Sequence, residues 1–120
     1  MSARTVSVLG AVLAGLAVAL GAFGAHALEG RVVAGRLDTF ETAVRYLMYH
    51  ALGLLLLARL PGTAVAAGLM TAGIAVFSGS LVLLVLTDTG WLGAITPIGG
   101  VLMISAWLLT AWQLLRGNQS

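Results

Sequence analysis

Residues 6–28 contain no acid, lysine or arginine. As an α-helix rising 1.5 Å per residue, that run reaches about 34 Å. The hydrocarbon core of a bilayer is about 30 Å thick. Few placements other than a membrane span suit an uncharged run of this length, because water cannot solvate it and a small soluble core cannot enclose it. Arg4, followed by apolar residues and Ala25-His26-Ala27, also fits the pattern of a secretory leader. The run exceeds the roughly 7–15 residues of a leader's apolar segment, however. It therefore reads as a spanning first helix over about 5–28.

Composition extends the argument to the rest of the chain. Of 120 residues, 60% are hydrophobic and 8% are charged, where a soluble domain is about a quarter charged. So few charges cannot cover a protein in water, and the expected fold class is an all-α integral membrane protein. Net charge is +2 and every basic residue is an arginine. These arginines are scattered, so none of them forms a run that could follow a phosphate backbone, and nucleic-acid binding is not expected. Without cysteine there is no disulfide, thiolate nucleophile or cysteine metal site.

Turn-forming residues divide the chain into four spans. Gly30 and Gly35 mark residues 29–37 as a loop, with Arg31 and Arg36 as interface anchors. Asp38 reads as an N-cap and Glu41, three residues on, completes a capping box, which predicts helix 2 over about 39–59. Leu60-Pro61-Gly62-Thr63 is a turn, and helix 3 follows over about 64–87. Asp88-Thr89-Gly90 makes the next turn, with Trp91 at interfacial depth. Thr96 and Pro97 read as N-cap and first residue of helix 4, which otherwise begins at Trp91 and kinks at Pro97. It closes at about residue 115, before Arg116 and Gly117.

The expectation is one compact four-helix transmembrane domain over 1–120, with short loops and both termini on one side of the membrane. Three arginines fall on each side, so positive-inside bias does not orient it. Small residues recur at helical spacing: Gly10, Gly21 and Gly24 in helix 1, and Ser78, Gly79 and Ser80 in helix 3. In lipid such residues let two backbones approach closely. They serve packing inside the bundle or contact with a partner.

The polar groups concentrate in residues 38–50, which hold two of the four acids, one of the two histidines and both tyrosines. Glu41, Arg45 and Tyr49 lie four apart on one helix face, and the acid-first order favours an ion pair. Tyr46 and His50 lie on the adjacent row with Thr42. Such rows are expected to face the bundle or a wet cavity rather than lipid. They make either a proton, ion or ligand site, or an interface helix with an internal salt bridge and a tyrosine girdle. His26, at the end of helix 1, is expected beside them. Two histidines at different depths without a third ligand give no metal centre, and no cofactor is expected. Ser78 and Ser80 have no base at a recognisable spacing, so no catalytic residue is assigned.

Four ordered blocks carry a resemblance. They are Gly21-Ala22-Phe23-Gly24-Ala25-His26-Ala27-Leu28; Glu41-Thr42-Ala43-Val44-Arg45-Tyr46 with Tyr49-His50-Ala51-Leu52; Phe77-Ser78-Gly79-Ser80-Leu81; and Trp91-Leu92-Gly93-Ala94-Ile95-Thr96-Pro97-Ile98-Gly99-Gly100. The chain resembles, over nearly its whole length, the domain of unknown function 423 family of small bacterial membrane proteins. Leu47 and Val82 depart from the family pattern, where many members carry Gln and Tyr. The resemblance implies an integral membrane protein with four helices and supplies no activity.

Three functional readings follow. The first is a non-enzymatic membrane protein that binds membrane lipid, a membrane-protein partner or a second copy of itself. The second is a small transporter or proton or ion pathway lined by His26, Glu41, Arg45, Tyr46, Tyr49 and His50. The third is a haem or metal-binding redox subunit.

Overall fold

The computed structural model describes residues 1–117, and all of its regular structure there is helical. Helix α1 runs Ala3–Leu28. Ser2 caps it, its hydroxyl accepting from the Thr5 amide at 3.1 Å. The helix is α-helical over Ala3–Ala19, widens to a π-turn over Leu20–Gly24, and returns to α over Ala25–Leu28. Gly30, at φ +77°, then turns the chain.

Helix α2 runs Ala34–Leu57, so it begins five residues before the expected Thr39. Asp38 and Glu41 do not form a capping box. The N-cap is Val33, in extended conformation and with no side-chain cap. Asp38 sits inside the helix, its carbonyl accepting from Thr42 at 3.1 Å. The physical reason is that Gly35 falls in the first turn, where a glycine costs little, while Gly30 supplies the left-handed break. The additional turn brings Arg36 to Asp88, whose carboxylate accepts from Arg36 Nε at 3.0 Å. Asp88 is thus an ion-pair partner as well as a turn residue.

Thr63 ends α2 by donating to the carbonyls of Leu57 at 2.7 Å and Leu60 at 3.0 Å. Helix α3 runs Ala64–Thr87 and stops at Asp88, which adopts the left-handed conformation at φ 51°. A single 3-10 segment, Gly90–Ala94, leads to α4, Thr96–Gly117. Pro97 lies in the first turn of α4, where its missing N–H removes no helical bond. Thr96 is not a cap. Its hydroxyl bonds Ser80 on α3 and the Leu92 carbonyl instead. Arg116 closes α4 by stacking on Trp112, 4.4 Å from the ring centre.

Three of these segments, Ala3–Leu28, Ala64–Thr87 and Gly90–Gly117, are long and apolar enough to cross a membrane. Helix α2 is as long as α3 but carries the polar residues. Large apolar side chains stand outward on every helix, including Val8, Val12, Leu52, Leu83, Val101 and Leu108. Lipid satisfies that surface, whereas water would not. Burial against lipid adds no hydrophobic drive between helices, so close packing must hold them. Glycine makes that packing possible. A Cβ on Gly99 would stand 2.8 Å from Phe77 Cα and 2.9 Å from the Gly73 carbonyl oxygen, so α3 and α4 meet backbone to backbone. A Cβ on Gly10 would stand 2.9 Å from the Ala51 carbonyl oxygen, which sets the approach of α1 to α2. The core between them includes Ala17, Leu54, Leu57, Ala67, Met70 and Met103.

Candidate functional site

Helix α2 lies between α1 and α3 and presents three faces. Phe40, Val44 and Ala51 meet α1, where Gly24, Gly21 and Gly10 leave room for them. Ala43, Leu47, His50, Leu54 and Leu57 are buried, and the Ala43 carbonyl accepts from Ser78 Oγ of α3 at 2.9 Å. Glu41, Arg45 and Tyr49 form the exposed third face.

His50 is the buried polar group of α2, 7% exposed. Its Nδ1 lies 2.8 Å from the Tyr46 carbonyl oxygen, which can only accept, so Nδ1 carries the proton. Nε2 is then a bare acceptor, and Trp107 Nε1–H of α4 donates to it at 3.0 Å. Both ring nitrogens are therefore occupied by partners that suit one neutral tautomer. A second proton would set a donor against the indole N–H. Tyr46 stacks over the imidazole at 6.0 Å and touches the Phe77 ring at 4.7 Å. Tyr49 stands outward beside it, 5.8 Å between ring centres. This cluster ties α2 to α3 and α4.

The expected six-residue constellation is thus divided. His26 is exposed and reaches Glu29 on its own helix end, Nδ1 to Oε2 at 4.0 Å, rather than the polar rows of α2. Glu41 and Arg45 share a face but form no ion pair with each other. Arg36 with Asp88 is the arginine–carboxylate pair among the described residues. Glu41 and Arg45 instead border a groove of about 280 Å³ between α1 and α2. Its other walls are Gly21, Ala25, Phe40 and Val44. The groove opens where α1 takes its π-turn, a device found often at functional positions. His50 does not line it.

The small residues also separate. Gly10, Gly21 and Gly24 pack against α2, the last with its Cβ position 2.9 Å from the Phe40 ring. Ser78 and Ser80 bond to α2 and to Thr96. Gly79 differs from the expectation: nothing lies within 4 Å of its Cβ position, and it borders an apolar groove of about 250 Å³ between α1 and α3. Trp91 is exposed at the entry to α4.

Sequence reasoning missed two features. Trp107 lies 57 residues from His50, and the only signal was that an indole N–H in an apolar helix needs an acceptor. The π-turn was foreshadowed by two glycines, Gly21 and Gly24, inside a helix where each costs about 1 kcal/mol relative to alanine.

Comparison with known proteins adds the following. The family model described as protein of unknown function DUF423 matches residues 20–100. The chain is 51% identical over 109 residues to UPF0382 membrane protein YwdK of Bacillus subtilis, covering 85% of this chain and 89% of that protein. It is 46% identical over 107 residues to UPF0382 membrane protein SH2409 of Staphylococcus haemolyticus, covering 85% and 88%. It is 50% identical over 107 residues to UPF0382 membrane protein SERP0230 of Staphylococcus epidermidis, with the same coverage. No solved structure matches.

Proposed function

We propose that this chain, which belongs to the DUF423 family of membrane proteins, is a non-enzymatic inner-membrane subunit that binds a phospholipid in the groove between α1 and α2. The carrying observation is that Glu41 and Arg45 stand on that groove with no partner in each other, beside apolar walls and the π-turn. A charge at the edge of a membrane helix gains from a counter-charge, and a lipid headgroup offers one. The apolar walls suit the glycerol and upper acyl region. In this reading α2, as long as α3, crosses the membrane beside the three more apolar helices, which would put both termini on one side.

The chemistry of the interior supports the non-enzymatic part. Ser78 donates its hydroxyl hydrogen bond to the Ala43 carbonyl, and His50 has both nitrogens engaged. Neither is paired with the other as nucleophile and base. A polar pathway is less well supported, because His26, the Glu41–Arg45 face and His50 look in different directions.

Native mass spectrometry of the protein extracted in mild detergent tests the reading. Wild type and Val101→Trp, a change on the exposed face of α4, should each retain phospholipid. Ala25→Trp, which fills the groove, should retain none while unfolding at the same temperature. A wild-type protein that carries no phospholipid would overturn the proposal.

A further inference from the structure

The geometry points to a headgroup class: we infer that the groove selects a phospholipid bearing both a phosphate and a primary ammonium, the phosphoethanolamine head. This deepens the lipid-binding reading above and rests on it. Arg45 takes the phosphate and Glu41 takes the ammonium.

Three observations carry the assignment. First, an acid and an arginine four residues apart on a helix are placed to pair with each other. Here they do not, whereas Arg36 and Asp88, 52 residues apart, meet at 3.0 Å. Glu41 and Arg45 each remain open to an external partner of opposite sign. Second, the order along the helix matches the order within the head. Glu41 is nearer the loop end of α2, and Arg45 lies about 6 Å further in. In an ethanolamine phospholipid the ammonium is outermost and the phosphate sits inward, next to the glycerol. With the phosphate on Arg45, the acyl chains continue towards the membrane centre along the apolar side chains beyond it. Third, the two charges sum to zero, which matches a zwitterion.

The same chemistry ranks the alternatives. A glycerol head can donate hydroxyl hydrogen bonds to Glu41 but brings no cation, and its net negative charge sits near that carboxylate. A choline head has a cation but no N–H, so it cannot donate a hydrogen bond to Glu41. The planar guanidinium can hold two phosphate oxygens at once. A second groove of about 320 Å³ holds Arg31 and Arg36, but Asp88 borders it and already binds Arg36. It lacks a free acid–base pair in this order.

The test is a competition in nanodiscs containing equal parts phosphatidylethanolamine, phosphatidylcholine and phosphatidylglycerol. Lipid retained after extraction is counted by native mass spectrometry. Wild type should be enriched in phosphatidylethanolamine about ten-fold over the other two, the effect of one charge-assisted hydrogen bond. Glu41→Gln should still carry phospholipid but lose the preference over phosphatidylcholine. Arg45→Gln should carry less of all three. Both side chains are exposed, so both variants should unfold at the wild-type temperature. Retention in proportion to the membrane mixture would overturn the headgroup assignment while leaving lipid binding intact. So would a preference unchanged in Glu41→Gln. Soluble phosphoethanolamine should not displace the lipid at millimolar concentration. Displacement would overturn the lipid source, because the head alone would then supply the affinity.

Discussion

Gly99→Ala inserts one methyl group at the point where α3 and α4 touch. Its carbon would stand 2.8 Å from Phe77 Cα and 2.9 Å from the Gly73 carbonyl oxygen, while ordinary contact begins at 3.4 Å. Both neighbours are backbone, so no rotamer change relieves the clash. The Phe77 amide nitrogen stands closer still, so the helices must separate by roughly 0.5–1 Å, and a gap of that order forfeits about a quarter to a half of the dispersion attraction across the interface. Overpacking of this kind costs about 1–3 kcal/mol. In a membrane no gain in apolar burial offsets it, because lipid contacts replace helix contacts at equal hydrophobicity. We expect a loss of about 2–3 kcal/mol. Gly79→Ala is the matched control. Nothing lies within 4 Å of its Cβ position, and alanine is the better helix former by about 0.5–1 kcal/mol. Reversible unfolding in mixed micelles, titrated with SDS and followed by tryptophan fluorescence, measures both. Unfolding of Gly99→Ala at the wild-type SDS fraction, or an equal shift in the two variants, would rule out a backbone contact at Gly99 as the source of the cost.

Other substitutions report on other contacts. Trp107→Phe keeps an aromatic ring but removes the donor to His50, and the stranded acceptor should cost about 1–3 kcal/mol in the same titration. In the wild type, nitrogen NMR of labelled histidine should show the His50 proton on Nδ1 and a hydrogen-bonded acceptor at Nε2. Ser78→Ala loses the bond to the Ala43 carbonyl, and a loss of about 0.6 kcal/mol, the average for such bonds between membrane helices, is expected. At Asp88, 82% exposed, the ion pair is worth little, but the left-handed backbone matters. Asp88→Gly should therefore unfold later than Asp88→Ala, since glycine alone accepts φ 51° without strain.

The spans were legible because their cause is local. Runs such as residues 64–87 are apolar from end to end, and Pro61-Gly62 and Asp88-Thr89-Gly90 interrupt them in the only places they can. The start of α2 was not legible by the same means. Asp38 followed by Glu41 satisfies a cap pattern, yet Gly30 supplies the left-handed break and Gly35 is tolerated in the first turn, so the helix starts five residues further back. The polar residues followed a similar division. Helical spacing places Glu41 and Arg45 on one face and His50 on another, and that arrangement is present. Their partners are set by how four helices meet, which no local pattern encodes. His26 was expected in the same cluster from its place at the end of helix 1, and its actual neighbour is Glu29, three residues along. Glycines show the same limit. Gly73 and Gly99 hold the tightest contact, although the spacing of small residues drew attention to Gly79, which faces open space.

A phospholipid head seated at Glu41 and Arg45 is tested most directly by photo-crosslinking with a phosphatidylethanolamine that carries a diazirine on its head, followed by peptide mapping. Label should concentrate on residues 21–25 of α1 and 40–45 of α2. Label spread evenly over the outward faces of α1 and α4, at positions such as Val8, Val101 and Leu108, with no excess at the groove, would contradict it.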